Sequence, residues 1–154
     1  MADVIIIYAS MTGNTEEMAE AIAEGVRAGG GEPLVKSVMD ASAVDLASYR
    51  GIILGAYTWG DGELPDEFLD FYEEMDEVRL DGCRCAVFGS ADSSYPEFGA
   101  AVDLLAAKLQ QCGAALVQEG LKIELSPSSQ EKQDCVAYGK RFAAQLAAET
   151  AIQG

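Results

Sequence analysis

The chain contains no histidine, and its 154 residues include only 10 lysines and arginines against 26 aspartates and glutamates. Without histidine, the commonest general base and metal ligand is missing. The formal net charge of −16 creates a field that repels nucleic acid and anionic membranes, so both are poor partners. The same field favours basic protein partners, and their association with this chain should be fast and sensitive to salt.

Cysteine is scarce, and long apolar runs are missing. Cys83 and Cys85 stand two residues apart, Cys112 and Cys135 are isolated, and no C-x-x-C spacing occurs. This usage predicts reduced, mostly buried thiols and a cytoplasmic protein. The N-terminal segment predicts no secretory signal, and no apolar run is long enough to span a bilayer.

Strand and helix patterns alternate along the chain with no repeat or linker, which predicts one domain over residues 1–154. The predicted strands cover 3–9, 33–38, 51–56 and 85–89, with a last strand region in two pieces, 115–117 and 121–125. The predicted helices cover 13–28, 65–76, 100–111 and 128–148, with a turn or short helix over 40–46 and a polar tail to residue 154. Five strands alternating with helices indicate an α/β fold, an open parallel sheet with helices on both faces. Ligands bind such sheets at the carboxyl ends of the strands, where the strand order reverses.

The first strand ends in a loop rich in hydroxyl groups. Ser10, Thr12 and Thr15 gather at the N-terminus of the first helix, where unpaired N–H groups and the positive end of the helix dipole suit a phosphate. No lysine or arginine precedes Arg27, so neutral donors would hold that phosphate. The loop matches neither the nucleoside-triphosphate nor the dinucleotide fingerprint. The alternative is that Thr12 or Asn14 only caps the helix.

Two further loops, 57–65 and 90–99, follow the third and fourth strands and therefore lie at the same edge. The single tryptophan, Trp59, lies in the first of them, and Tyr95 and Phe98 lie in the second. Such aromatic side chains can form two walls around a flat conjugated ligand, or a ring can pack on its own loop for stability. A flat ring joined to one phosphate corresponds to FMN.

The three loops resemble those of the flavodoxin family, in particular its short-chain members, and the likeness runs from Asp3 to about Ala148. Residues 10–15 resemble the phosphate loop T/S-x-T-G-N-T, residues 58–62 the inner aromatic loop, and residues 92–95 the outer loop. The last strand has only a brief interruption at 118–120, where long-chain members carry a longer insertion. The resemblance implies a five-stranded flavodoxin-like sheet of order 2-1-3-4-5 and non-covalently bound FMN.

The resemblance also implies roles for individual residues. The phosphate would be held by the side chains of Ser10, Thr12, Asn14, Thr15 and Thr58 and by the backbone of Met11 and Gly13. Trp59 would cover the inner face of the flavin ring and Tyr95 the outer face. The backbone of Asp92 and Gly99 would bond the pyrimidine edge. The remaining residues expected around the cofactor are Tyr57, Asp61, Ser90, Ala91 and Phe98.

The expected redox behaviour of the bound flavin depends on Gly60. In the family, the peptide after this glycine flips so that its carbonyl accepts a hydrogen bond from flavin N5–H in the semiquinone, and glycine makes the flip sterically cheap. The resemblance thus implies a low-potential one-electron carrier, without substrate turnover, that cycles between quinone, semiquinone and hydroquinone. We expect the acidic residues of the flavin loops to disfavour the anionic hydroquinone and to lower the potential below that of free FMN.

The chain departs from the family pattern at several positions. Met11 lacks a hydroxyl that some relatives have, and Tyr57 stands where a small hydroxyl residue is common. Ala91 replaces a frequent glycine, and Pro96-Glu97 also differs. None of these changes removes a stacking residue or Gly60.

Acidic residues continue from Asp61 to Glu77 with no basic residue before Arg79. This run is either a solvated helix face or a docking surface for basic faces of reductases and electron acceptors. We expect a monomer with no nucleic-acid or membrane partner.

Rival functions make different demands on the same loops. An FMN-dependent NAD(P)H:quinone reductase of the same fold is the main alternative, but it needs open space over the flavin. A phosphoacceptor receiver domain needs an acidic pair where Ala9 and Ser10 stand. A hydrolase built on Asp92 and Ser93 has no base partner, and a module without flavin leaves the three loops unexplained.

Overall fold

The structure is a computed structural model that describes residues 3–9, 13–57, 64–91, 100–124 and 128–153, with only the backbone for Ala91 and residues 148–153. The strands are β1 (Val4–Ala9), β2 (Pro33–Ser37), β3 (Gly51–Ala56), β4 (Arg84–Ala91), β5 (Ala115–Leu116) and β6 (Leu121–Glu124). The α-helices are α1 (Asn14–Ala28), α2 (Asp66–Glu74), α3 (Ala100–Gln111) and α4 (Ser129–Gln153). Short 3-10 helices cover Val38–Asp40, Ala43–Ser48 and Met75–Glu77.

The sheet is parallel throughout, in the order β2-β1-β3-β4-β5, with β6 paired to β4 beyond the end of β5. The predicted fold class and strand order are therefore confirmed. Strand β2 lies at an edge, as its leading Pro33 and its polar Lys36 and Ser37 predict, because proline cannot donate to a second neighbour. The order reverses between β1 and β3, and this reversal fixes where a ligand site can form.

The core consists of two apolar layers, one on each face of the sheet. On one face α2 and α3 pack against alternate strand residues such as Ile5 and Leu54. On the other face α1 and α4 pack against the intervening residues, such as Ile6 and Ile53. Successive side chains of a strand point to opposite faces, so strands buried on both sides are apolar at every position. The uninterrupted apolar run of β1 follows from this.

Among the strands and α-helices, three boundaries differ from the sequence prediction by two residues or more. Strand β4 extends to Ala91 because β6 pairs with its second half, from Phe88 onward. Helix α2 ends at Glu74 and tightens into a 3-10 turn in which Met75 is buried. Helix α4 continues to Gln153, where a polar tail was predicted, because the alanine-rich end of the chain has high helix propensity.

The last strand region is split, and Tyr138 of α4 fills the break. Strand β4 pairs with β5 up to Cys85 and with β6 from Phe88, so Val87 lies between the two ladders. The Tyr138 hydroxyl lies 2.9 Å from the Val87 carbonyl oxygen and 2.7 Å from that of Glu119 in the link between β5 and β6. A side-chain hydroxyl thus supplies a donor where the sheet is interrupted.

Replacing Tyr138 with phenylalanine should lower the free energy of unfolding by about 1–3 kcal/mol, the cost of leaving a buried carbonyl without its donor. Urea denaturation of the variant measures this loss. Tyr49→Phe, at a half-buried tyrosine elsewhere on the molecule, is the control and should change stability by less than about 0.5 kcal/mol. Equal effects of the two variants would rule out a special role for the Tyr138 hydroxyl.

Candidate functional site

Three strand ends meet at the carboxyl edge of the sheet. Strands β1 and β3 end level with each other, since Ala9 pairs with Ala56, and β4 extends further, to Ala91. Because the strands are parallel, the chain leaves all three at the same edge. Of the expected site residues, the structure describes Gly13, Asn14, Thr15, Tyr57, Ser90 and the backbone of Ala91. The others lie outside the described residues: Ser10, Met11, Thr12, Thr58, Trp59, Gly60, Asp61, Asp92, Tyr95, Phe98 and Gly99.

The N-terminus of α1 starts on a left-handed glycine. Gly13 is the N-cap residue, with φ 91°, and makes no side-chain cap hydrogen bond. Asn14 is already the first helical residue, so the alternative that it is the N-cap residue is wrong. Any other residue at position 13 would be strained by this φ, although a β-carbon there would meet no atom within 4 Å. Glycine has no side chain that could cap the helix, so no cap from position 13 competes with an anion for the N–H groups of the first turn.

The side chains of Thr15 and Ser90 join this helix start to the end of β4. Their hydroxyl oxygens are 2.8 Å apart, and either can be the donor. Thr15 is 1% exposed and Ser90 is 4% exposed, so the contact is screened from water. The structure thus brings together two expected site residues that are 75 positions apart in sequence.

Close backbone contact holds the ends of β3 and β4 together. A side chain on Gly89 would overlap the carbonyl oxygen of Ala56, and one on Gly55 would overlap the ring of Phe88. Glycine at position 55 leaves room for the Phe88 ring, and glycine at position 89 leaves room for the Ala56 carbonyl. The strand ends that carry the second and third loops are therefore tightly fixed relative to each other.

Two tyrosines at the strand ends carry acidic neighbours. Burial raises the pKa of Tyr8, and Glu16 and Glu20 of α1 raise it further. Burial also raises the pKa of Tyr57, together with the charge and hydrogen bond of Glu67 in α2. Glu67 Oε1 is buried and has no hydrogen-bond partner in the described part of the chain. The edge that carries the loops therefore has a poorly solvated carboxylate oxygen, on Glu67, and further acidic side chains that are exposed.

A separate groove of about 680 Å³ runs between α1 and α4, beginning at Gly13. Glu16, Glu17, Glu20 and Glu24 line it, and Lys132 contributes one positive charge, 3.8 Å from Glu17. Four carboxylates disfavour a phosphate or any other anion. The groove therefore does not fit the cofactor, in contrast to the start of α1.

The arrangement at the strand ends fits the phosphate of FMN. A helix start whose cap position is a glycine offers backbone donors, the Thr15–Ser90 pair supplies neutral hydroxyls, and neither requires a cation. Among the described residues, no group of three or more histidine, cysteine, aspartate or glutamate side chains could hold a metal ion. The same part of the chain contains no helix long and apolar enough to cross a membrane. All four cysteines are buried free thiols, as the sequence predicts.

Sequence reasoning missed the pairing of Thr15 with Ser90 and the role of Tyr138. The available signal for the Thr15–Ser90 pairing was a serine that follows the apolar residues of β4. It stands two positions after Phe88 and therefore on the same face of the strand. No local signal marks Tyr138, because it is one of several apolar residues at helical spacing.

Comparison with known proteins agrees with the fold. The family model described as "Flavodoxin" matches residues 6–139. The chain is 43% identical over 144 residues to "Probable flavodoxin 2" of Bacillus subtilis (strain 168), covering 93% of this chain and 95% of the relative. The crystal structure of oxidised flavodoxin 1 from Bacillus cereus superposes with a TM-score of 0.88 at 54% identity, covering 90% of this chain and 95% of that one.

A second solved structure, oxidised flavodoxin 2 from Bacillus cereus, gives a TM-score of 0.90 at 43% identity and covers 94% of this chain and 99% of that one. A family match over most of the chain and relatives of similar length agree with the observed fold. The chain belongs to the flavodoxin family, whose members bind FMN and carry electrons.

Proposed function

We propose that this chain is a one-domain, cytoplasmic, low-potential carrier that transfers one electron at a time. FMN supplies the redox chemistry when bound, since its ring system accepts electrons singly or in pairs. Residues 10–15 and Thr58 hold the phosphate, Trp59 and Tyr95 cover the two faces of the ring, and Asp92 and Gly99 bond its pyrimidine edge. The observation that carries this proposal is the Thr15–Ser90 contact, which joins the helix start to the β4 end at the three-loop edge.

The charge of the protein supports the low potential. Glu67 has a buried carboxylate oxygen without a hydrogen-bond partner in the described part of the chain, and Tyr57 contacts the same side chain. Negative charge added to the flavin would therefore be opposed by the Glu67 carboxylate, which water screens poorly, and by the net charge of −16. This repulsion is strongest for the second electron, so the potentials of the two reduction steps differ.

The acidic run supports a basic partner. On α2 and the following turn, the side chains of Asp66, Asp70, Glu73, Glu74, Asp76 and Glu77 are exposed. The helix starts just after the second loop, so a basic face docked on it would lie near the flavin. Reductases and electron acceptors with such faces are the partners we propose, and their association should slow as salt is added.

Stepwise anaerobic reduction of the purified, FMN-loaded protein tests the proposal. We expect two separate one-electron steps, seen as long-wavelength visible absorption that rises to mid-reduction and then disappears. Gly60→Val should merge the steps, because a β-branched residue disfavours the backbone flip. Trp59→Ala should weaken FMN binding and shift both potentials.

A direct passage from yellow to colourless in the unmodified protein would contradict the one-electron proposal. It would favour the NAD(P)H:quinone reductase alternative, which turnover of NAD(P)H and quinone without a separate reductase would then establish. Ser129→Ala, at an exposed position of α4, is the control variant and should behave as the unmodified protein in both assays.

A further inference from the structure

Ser90 occupies an unusual position for a polar residue. It lies near the end of β4, two residues after the fully buried Phe88, and pairs with Ile123 of β6 in the ladder. Its hydroxyl is almost completely screened from water and meets that of Thr15 at 2.8 Å. Thr15 belongs to the first turn of α1, two residues after the Gly13 cap.

The hydrogen bond between the hydroxyls of Thr15 and Ser90 can run in either direction. Each carries one hydrogen and can accept two hydrogen bonds. If Thr15 donates to Ser90, Thr15 presents only oxygen lone pairs to the start of α1, and these repel an anion. If Ser90 donates to Thr15, the Thr15 hydrogen is released and can point to a phosphate oxygen.

The surroundings make this choice matter. The chain has no lysine or arginine before Arg27, and Glu16 and Glu17 follow Thr15 in the first turn of α1. Lys132, the cation in the groove that begins at Gly13, already lies 3.8 Å from Glu17. A phosphate at this helix start therefore depends mainly on neutral donors, whose strength rises when another hydrogen bond polarises them. A hydroxyl that accepts from Ser90 is a better donor to phosphate than an isolated one.

We propose that Ser90 is a positioning residue for the FMN phosphate: it does not touch the phosphate but donates to Thr15, which in turn donates to a phosphate oxygen. This inference rests on the proposed phosphate site at residues 10–15. It assigns the end of β4 a part in phosphate recognition, in addition to leading into the loop over 92–99.

Binding of FMN and riboflavin to the apoprotein, followed by flavin fluorescence, tests the relay, because riboflavin lacks the phosphate. Ser90→Ala should weaken FMN binding about 3- to 10-fold and leave riboflavin binding within about twofold. Thr15→Val, which removes the direct donor to a charged group, should weaken FMN binding about 10- to 100-fold. The double variant should bind FMN no more weakly than Thr15→Val alone, since the relay acts only through Thr15.

Ser90→Cys keeps a weak donor and should lie between the unmodified protein and Ser90→Ala, and it replaces Ser90→Ala if that variant fails to fold. Phosphorus NMR of bound FMN gives a second readout, because the phosphate signal should move in Ser90→Ala. Ser129→Ala is the matched control on an exposed serine and should move neither readout.

Two outcomes would overturn the relay. Equal weakening of FMN and riboflavin by Ser90→Ala, or additive losses in the double variant, would make Ser90 a packing residue only. A different result would overturn the underlying phosphate assignment: Thr15→Val would keep the full preference for FMN over riboflavin. The two failures are therefore distinguishable in the same set of titrations.

Discussion

Replacing Gly25 with alanine should lower the free energy of unfolding by about 2 kcal/mol or more, although alanine is the better helix former. A β-carbon on Gly25 of α1 would overlap the carbonyl oxygen of Val136 in α4, and one on Gly139 of α4 would overlap that of Ile22 in α1. The obstacles are backbone atoms, which cannot rotate away. Overpacking of this kind costs about 1–3 kcal/mol and occasionally more.

The direction of the change makes this test decisive. Helix propensity alone predicts that Gly25→Ala stabilises the protein by about 1 kcal/mol. Urea denaturation distinguishes the two signs, and Gly25→Val should be still less stable than Gly25→Ala. Glu24→Ala, at the neighbouring exposed position, is the control and should change stability by less than about 0.5 kcal/mol. Stabilisation by Gly25→Ala would show that the two helices are further apart.

The contact between α1 and α4 at Gly25 also affects the edge of the sheet that carries the candidate site. Helix α1 carries Gly13 and Thr15 at one end and the Gly25 contact near the other. If alanine pushes α1 away from α4, the hydroxyl of Thr15 moves relative to Ser90. Folded Gly25→Ala protein should therefore bind FMN more weakly than the unmodified protein, and fluorescence titration measures that loss.

Raising the pH from 9 to 12 should destabilise the protein steeply, because buried thiols resist losing their protons. Burial raises the pKa of Cys85 and of Cys135 to about 12 from the ordinary thiol value of 9.0. Between these values the unfolded chain binds fewer protons than the folded chain, so stability falls as pH rises. Each thiol contributes a slope of about 1.4 kcal/mol per pH unit where the two states differ by a full proton.

Burial also raises the pKa of Tyr138 to about 12 from 10.0, which adds to the loss at the upper end of this range. The free energy of unfolding, measured by urea denaturation at successive pH values, should fall with a slope that flattens in Cys85→Ala/Cys135→Ala. That variant starts from a lower stability, so the slope is the informative quantity. An unchanged slope would contradict the prediction.

General charge repulsion is the competing explanation for alkaline unfolding, given the net charge of −16. Salt separates the two causes. At about 1 M salt, repulsion between exposed charges is largely screened, whereas proton release from buried thiols is not. The part of the slope due to Cys85 and Cys135 should therefore persist at high salt.

Much of the fold follows from local patterns. The apolar run of β1 and that of β3 predict central strands, and the polar residues of β2 predict an edge strand; both predictions are confirmed. Such patterns are readable because burial on two faces, one face or neither leaves a different periodicity in the sequence. The split between β5 and β6 also has a local cause, the interruption around Gly120.

Part of the candidate site can be predicted in the same way. A hydroxyl-rich loop before a helix and aromatic residues in two other loops predict a site at the edge where β1, β3 and β4 end, because parallel strands bring their carboxyl ends together. The pairing of Thr15 with Ser90 could not be predicted. Each residue is marked by its own loop, but the contact depends on the separation of α1 from β4, which many packing contacts across the sheet determine together.

The sequence by itself determined the alternating elements, the acidic character, the three loops and the family, because each depends on residue types over a short stretch of chain. Only the tertiary structure decided which hydroxyls meet, which glycines are required for packing, and which side chain fills the gap in the last strand. Gly25 and Gly139 look like helix weaknesses in the sequence, and the fold makes them the contact between two helices. Such long-range contacts follow from the packing of whole elements, which no local pattern encodes.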